Sequence, residues 1–111
     1  MANINDIYRG DTKEYTVTIT ENGSPKDLTD CIVKMMFKDQ LSDEDTEAAL
    51  NVNADIPDPL LGIANITLDS SDTKIDPKEY LWIIVLLKPS IDYEKTLLQG
   101  QVTIIERVYK G

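Results

Sequence analysis

The sequence predicts an all-β fold, an antiparallel β-sandwich of about seven strands. Three observations carry that prediction. Apolar and polar residues alternate with a period of two along most of the chain. Asn-Gly, proline and short acidic clusters divide it at short intervals. No stretch keeps helical periodicity beyond a few residues. The 111 residues suit one domain spanning 1–111, with enough chain to build a core without a covalent staple.

The elements follow in order. Tyr15, Val17 and Ile19 alternate with Thr16, Thr18 and Thr20, the pattern of a half-buried strand. The threonines are β-branched and favour extended backbone. Asn22-Gly23 supplies the positive φ of a tight turn. Cys31 to Lys38 forms the next strand, with Cys31, Val33, Met35 and Phe37 on one face. Asp39 to Glu47 is polar and acidic and reads as a loop; Ala48 to Val52 reads as a short edge strand or one helical turn.

Ile56-Pro57-Asp58-Pro59 is a turn or extended connector, because each proline lacks a donor and biases its predecessor away from helix. From Gly62 the alternation returns, with Ala64, Ile66 and Leu68 on one side. Ser70 to Lys78 is a polar corner. Tyr80 to Leu87 is apolar on both faces and reads as a central strand. Pro89 ends it, and a final strand runs from Lys95 to Val108, bent near Gly100, where a missing side chain permits a bulge.

Composition narrows the function. Eleven basic against twenty acidic residues give a formal charge of −9, which repels nucleic acid and anionic membranes. The longest apolar run, Tyr80 to Leu87, is too short to span a bilayer. There is no histidine and a single cysteine, Cys31, so the usual nucleophile–base arrangements, a zinc site and an internal disulfide are not expected. No glycine-rich phosphate loop is present. The expectation is a non-enzymatic protein without cofactor, metal or small-molecule substrate.

Several short patterns have two readings. The acids Asp43, Glu44, Asp45 and Glu47, and the corner Asp69, Asp72 and Asp76, lack the ligand spacing of a calcium loop and read as solvated edges. Arg9-Gly10-Asp11 matches a receptor-binding tripeptide but reads better as a turn. Asn22 and Asn65 head glycosylation patterns that need a secretory route, and the N-terminus MANINDIYRGD shows no signal peptide. Tyr80 follows the polar corner containing Asp76, as in the tyrosine corner of immunoglobulin-like domains, whose hydroxyl bonds back to nearby backbone.

The strand Tyr80 to Leu87 has one apolar face too many. Tyr80, Trp82, Ile84 and Leu86 suit the core. Leu81, Ile83, Val85 and Leu87 need a second cover, either the segment Ala48 to Leu61 or another protein molecule. Ile105, adjacent to Ile104, raises the same question. These five residues are the candidate interface, and a homo-oligomer is one way to cover them.

A series of landmarks in order also resembles a known family: Ile7-Tyr8-Arg9-Gly10-Asp11-Thr12, Asn22-Gly23-Ser24-Pro25, Asp27-Leu28-Thr29, the strand from Cys31, Gly62, Leu68, Asp72-Thr73, Tyr80, and Leu98, Gly100 and Val102. Their arrangement is similar to the N-terminal domain of phage and prophage baseplate upper proteins and to related small tail-associated immunoglobulin-like domains. The resemblance covers nearly the whole chain. It implies an immunoglobulin-like sandwich that docks onto other phage structural proteins in a tail or baseplate, made in the host cytoplasm and then carried in the virion. It implies no catalytic residues. Pro77-Lys78-Glu79 precede Tyr80 where the family often has glycine or a small residue, and if the 111 residues are the whole product, without a stalk helix or host-binding head, assembly is expected over host recognition. The competing expectation is a carbohydrate-binding or adhesion sandwich, with Tyr8, Tyr15, Tyr93 and Tyr109 as candidate sugar platforms.

Overall fold

The computed structural model of the chain describes residues 6–40 and 48–106. They form nine strands: β1 (Ile7–Tyr8), β2 (Lys13–Thr18), β3 (Thr20–Glu21), β4 (Ser24–Pro25), β5 (Ile32–Lys38), β6 (Leu50–Asn53), β7 (Ile63–Leu68), β8 (Glu79–Lys88) and β9 (Tyr93–Ile105). Six of these have four residues or more, and the helical pieces among the described residues are 3-10 turns at Pro59–Leu61 and Pro89–Ile91. The fold is all-β.

The five-stranded sheet runs β1-β9-β8-β5-β6, and β2 pairs separately with β7. The central pairs are antiparallel, but β1 lies parallel to β9, with Ile7 opposite Ile104. That departs from a wholly antiparallel expectation. β1 and β9 come from opposite ends of the described chain, so no hairpin dictates their relative direction.

Period-two alternation fills the core. β8 contributes Tyr80, Trp82, Ile84 and Leu86; β5 contributes Val33, Met35 and Phe37; β9 contributes Val102 and Ile104. From β2 and β7 come Val17, Ala64, Ile66 and Leu68, set opposite one another by the register Val17 to Ala64 and Tyr15 to Ile66. An isolated bridge between Asp55 and Asn65 ties the chain beyond β6 to β7, so the backbone curls around this core.

The turns follow their chemistry. Asn22 and Gly23 have φ of 54° and 80°, closing a two-residue hairpin between β3 and β4. A salt bridge of 2.7 Å from Lys26 to Glu21 clips that hairpin. Arg9-Gly10-Asp11 is a turn: the Asp11 amide donates to the Tyr8 carbonyl at 3.0 Å, with Gly10 at φ 92°. The buried Thr73 hydroxyl holds it, accepting from the Gly10 amide at 3.0 Å and donating to the Asp11 carbonyl at 2.7 Å.

The last strand differs from the expected span and bend. It begins at Tyr93 and its described part ends at Ile105; Arg107 and Val108 lie outside the described residues. The irregularity falls at Leu97, since Ile84 faces Leu98 while Val85 faces Thr96. Gly100 stays in register opposite Trp82. Its missing side chain serves packing instead, because a Cβ there would stand 2.9 Å from Trp82 Nε1. The indole, 1% exposed, lies against the bare glycine backbone in an aromatic-over-glycine cross-strand pair. Trp82 Nε1 has no hydrogen-bond acceptor among the described residues.

Candidate functional site

The register decides what the outer face of the five-stranded sheet presents. On β8 that face carries Leu81, Ile83, Val85 and Leu87. Across β5 these stand opposite Lys38, Met36, Lys34 and Ile32. Across β9, Leu81 faces Gln101 and Ile83 faces Gln99. On β6, Asn51 is opposite Met36 and Asn53 opposite Lys34. An apolar strip thus runs down the sheet centre, bordered by Gln101, Gln99, Thr96 and Glu94 on one side and by Lys38 and Lys34, with the asparagines beyond them, on the other.

The five candidate interface residues share this outer face, and they are not equally available. Leu81, Ile83, Leu87 and Ile105 are half-buried. Val85 is 5% exposed and Met36 beside it 1%, so both are already shielded within the chain. Ile32, opposite Leu87, is 37% exposed. The segment Ala48 to Leu61 does not cover the strip. Leu50, Val52, Ala54 and Ile56 turn to the inner core, while Leu60 and Leu61 are exposed. Alternation along β6 forces this, since placing Leu50 and Val52 inward puts the asparagines outward.

A second concavity lies at the β3–β9 side of the core. A cleft of about 210 Å³ is bordered by Glu21, Lys26, Lys88, Ile91 and Tyr93, with buried Leu86 among its walls. It adjoins a smaller hollow that shares Lys26 and Tyr93 and adds Lys95 and Leu97. Lys26 holds the Glu21 carboxyl below its ordinary pKa, chiefly by the hydrogen bond and then by charge. The Thr29 hydroxyl and amide do the same for Asp27. In the sequence Tyr93 is only one dispersed tyrosine. Its meeting with Lys26 and Lys88 depends on the β3–β4 hairpin standing over the start of β9, which no local pattern announces.

The other sequence candidates are placed as follows. Trp82 is core. The Tyr80 hydroxyl donates to the Asp76 carbonyl at 2.8 Å, as the corner predicts, and burial raises its pKa. Its ring stacks on Phe37 at 6.2 Å, and Lys78 Nζ lies 5.3 Å from its centroid while also pairing with Asp39. Asp72 accepts from the Asp69 amide at 2.8 Å, and no three acidic or cysteine side chains converge to hold a metal among the described residues. The acids Asp43, Glu44, Asp45 and Glu47, and Tyr109, lie outside the described residues. Asn65 accepts from Thr16 at 3.2 Å. Tyr8 is 53% exposed, Tyr93 38%, and Tyr15 packs partly against the core. Among the described residues no helix is long and apolar enough to cross a membrane.

No family model and no curated protein matches the chain.

Proposed function

We propose that the chain is a non-enzymatic assembly module of a phage or prophage tail or baseplate, an immunoglobulin-like sandwich that docks onto neighbouring structural proteins. The observation that carries the docking reading is the outer strip of Leu81, Ile83, Leu87 and Ile32, apolar at its centre and flanked by glutamines, asparagines, Lys34, Lys38 and Glu94. An apolar centre with a polar border is the composition of a protein interface. The immunoglobulin-like reading draws on the Tyr80–Asp76 bond at the start of β8 and on the resemblance of the turn landmarks. The −9 charge directs the module toward protein partners and away from nucleic acid.

The test is co-expression with the products of neighbouring genes, followed by affinity capture. Retention of a tail or baseplate protein, lost on Ile83→Lys with the fold intact by circular dichroism, is the expected result. Metabolic neighbours and no captured tail protein overturn the reading.

The exposed Tyr93 beside Glu21 and Asp27 favours a second reading, a carbohydrate site in the cleft. At about 210 Å³ the cleft is smaller than the roughly 300–1,000 Å³ of most ligand pockets. A glycan-array signal abolished by Tyr93→Ala would establish it over the docking role for this cleft.

A further inference from the structure

We infer that the open edge of β9, together with the lysine-bordered cleft at its start, is a strand-addition site for an extended acidic segment of a partner protein. The inference rests on the docking reading and specifies a second mode of contact for it. β9 has thirteen residues, and on the side away from β8 only its last two, Ile104 and Ile105, are paired, with β1. From Tyr93 to Thr103 that side has no neighbouring strand among the described residues. Pairing with β8 uses alternate backbone N–H and C=O groups, so the remaining ones along this edge point outward.

Most edges are blunted by shortness or charge. β6 is four residues long, and β2 carries Lys13 and Glu14. On β9 the charges sit at the start, at Glu94 and Lys95, and the Leu97 irregularity follows. Thr96 to Thr103 then runs without a charge or a proline. Such an edge gives affinity through main-chain bonds, and a neighbouring hollow gives selectivity through side chains. The hollow here is the cleft, with Ile91 and Tyr93 as apolar contacts.

Charge selects the occupant. Lys26, Lys88 and Lys95 gather around this cleft and its adjoining hollow, outnumbering the carboxylates Glu21 and Asp27 there, on a molecule of net charge −9. Lys26 is engaged by Glu21, while Lys88 and Lys95 form no ion pair with the described residues. A second copy of the chain would bring another −9 and place its own lysines near these. A partner strand alternating apolar and acidic residues lays its carboxylates on the face shared by Lys88, Tyr93 and Lys95 and its apolar side chains on the opposite face, beside Gln99 and Gln101.

The test uses the full chain and two capped synthetic peptides of about ten residues, long enough to lie along most of β9. One alternates valine and glutamate, the other valine and lysine. Binding is read by Trp82 fluorescence, since the indole packs on Gly100 of the same strand, and by hydrogen exchange of individual β9 amides. The expected result is binding of the glutamate peptide at least about tenfold tighter than the lysine peptide, with new protection at alternate amides between Tyr93 and Thr103. Lys88→Gln with Lys95→Gln weakens it by about threefold to tenfold.

No binding of either peptide, or protection confined to the outer-face strands β5 and β6, overturns the inference. So does a free protein that is dimeric with these amides already protected, which would assign the edge to a second copy. A captured tail protein whose footprint spares β9 sinks the inference and leaves the docking reading standing. Peptide addition without any tail partner does the reverse.

Discussion

Gly100→Ala tests the packing that ties β9 to the core. A methyl at position 100 would lie 2.9 Å from Trp82 Nε1 and 3.0 Å from Cε2 and Cζ2. Carbon contacts are comfortable at about 3.5–4.0 Å, so the ring must retreat by roughly 0.5–1 Å. Trp82 is 1% exposed and packed within the core cluster, so it has little room to move. Overpacking of this kind costs about 1–3 kcal/mol. Removing a strand glycine returns about 0.5–1 kcal/mol through the unfolded chain's entropy. The net expectation is a loss of up to about 2.5 kcal/mol. Urea unfolding followed by Trp82 fluorescence measures it, as a lower midpoint at unchanged slope.

The partner experiment is Trp82→Leu. By itself it is destabilising, because it leaves a cavity, but it removes the obstacle. On that background, with unfolding followed by circular dichroism because no tryptophan remains, Gly100→Ala should be neutral or stabilising, giving a coupling of about 1–2 kcal/mol. An alanine at 100 that stabilises the native protein, or costs the same with and without the indole, would refute the close-approach reasoning.

Three further outcomes are expected. Tyr80→Phe keeps the stack on Phe37 but deletes the donor to Asp76, costing about 0.5–1.5 kcal/mol by chemical denaturation. Thr73→Ala unpairs the buried Gly10 amide and Asp11 carbonyl; a loss of about 1–3 kcal/mol should accompany faster exchange at Gly10. The Glu21 and Asp27 carboxyls, both held below their ordinary 4.5 and 3.8, stabilise the fold fully above those values. That contribution fades as pH falls through the lower folded values, and Glu21→Gln should flatten part of the acid decline in midpoint.

What was legible in the sequence was set locally. The inward Tyr15-Val17-Ile19 row, the Asn22-Gly23 hairpin and the doubly apolar β8 each follow from neighbours a few residues apart. The Tyr80 corner is equally local, four residues from hydroxyl to carbonyl. The parallel β1–β9 pairing was not legible, because it joins residues 7 and 104. Nor was the role of Thr73, whose partners lie 62 and 63 residues away. Gly100 shows a subtler miss. Glycine in a strand permits either a bulge or a close approach, and only the position of the Trp82 ring decides between them.

The candidate interface was half legible for a related reason. Alternation places Leu81, Ile83, Val85 and Leu87 on one face, but how much of each reaches solvent depends on β5 and β9. Lys34, Met36 and Lys38 flank it on the β5 side, and Gln99 and Gln101 limit it on the other. The apolar strip is therefore one to two strands wide, about 5–10 Å at ordinary strand spacing. A standard interface buries roughly 800 Å² per partner, more than such a strip provides. β9 lies directly beside β8, so a partner strand added at its open edge continues the same sheet and carries its side chains over the glutamine border toward Leu81 and Ile83. The two contacts then meet on one added strand, its two faces reaching opposite sides of the sheet. Ile83→Lys and Lys88→Gln/Lys95→Gln should accordingly show coupled losses in binding to one partner, departing from additivity by about 0.5 kcal/mol or more. Strictly additive losses would mean two separate sites.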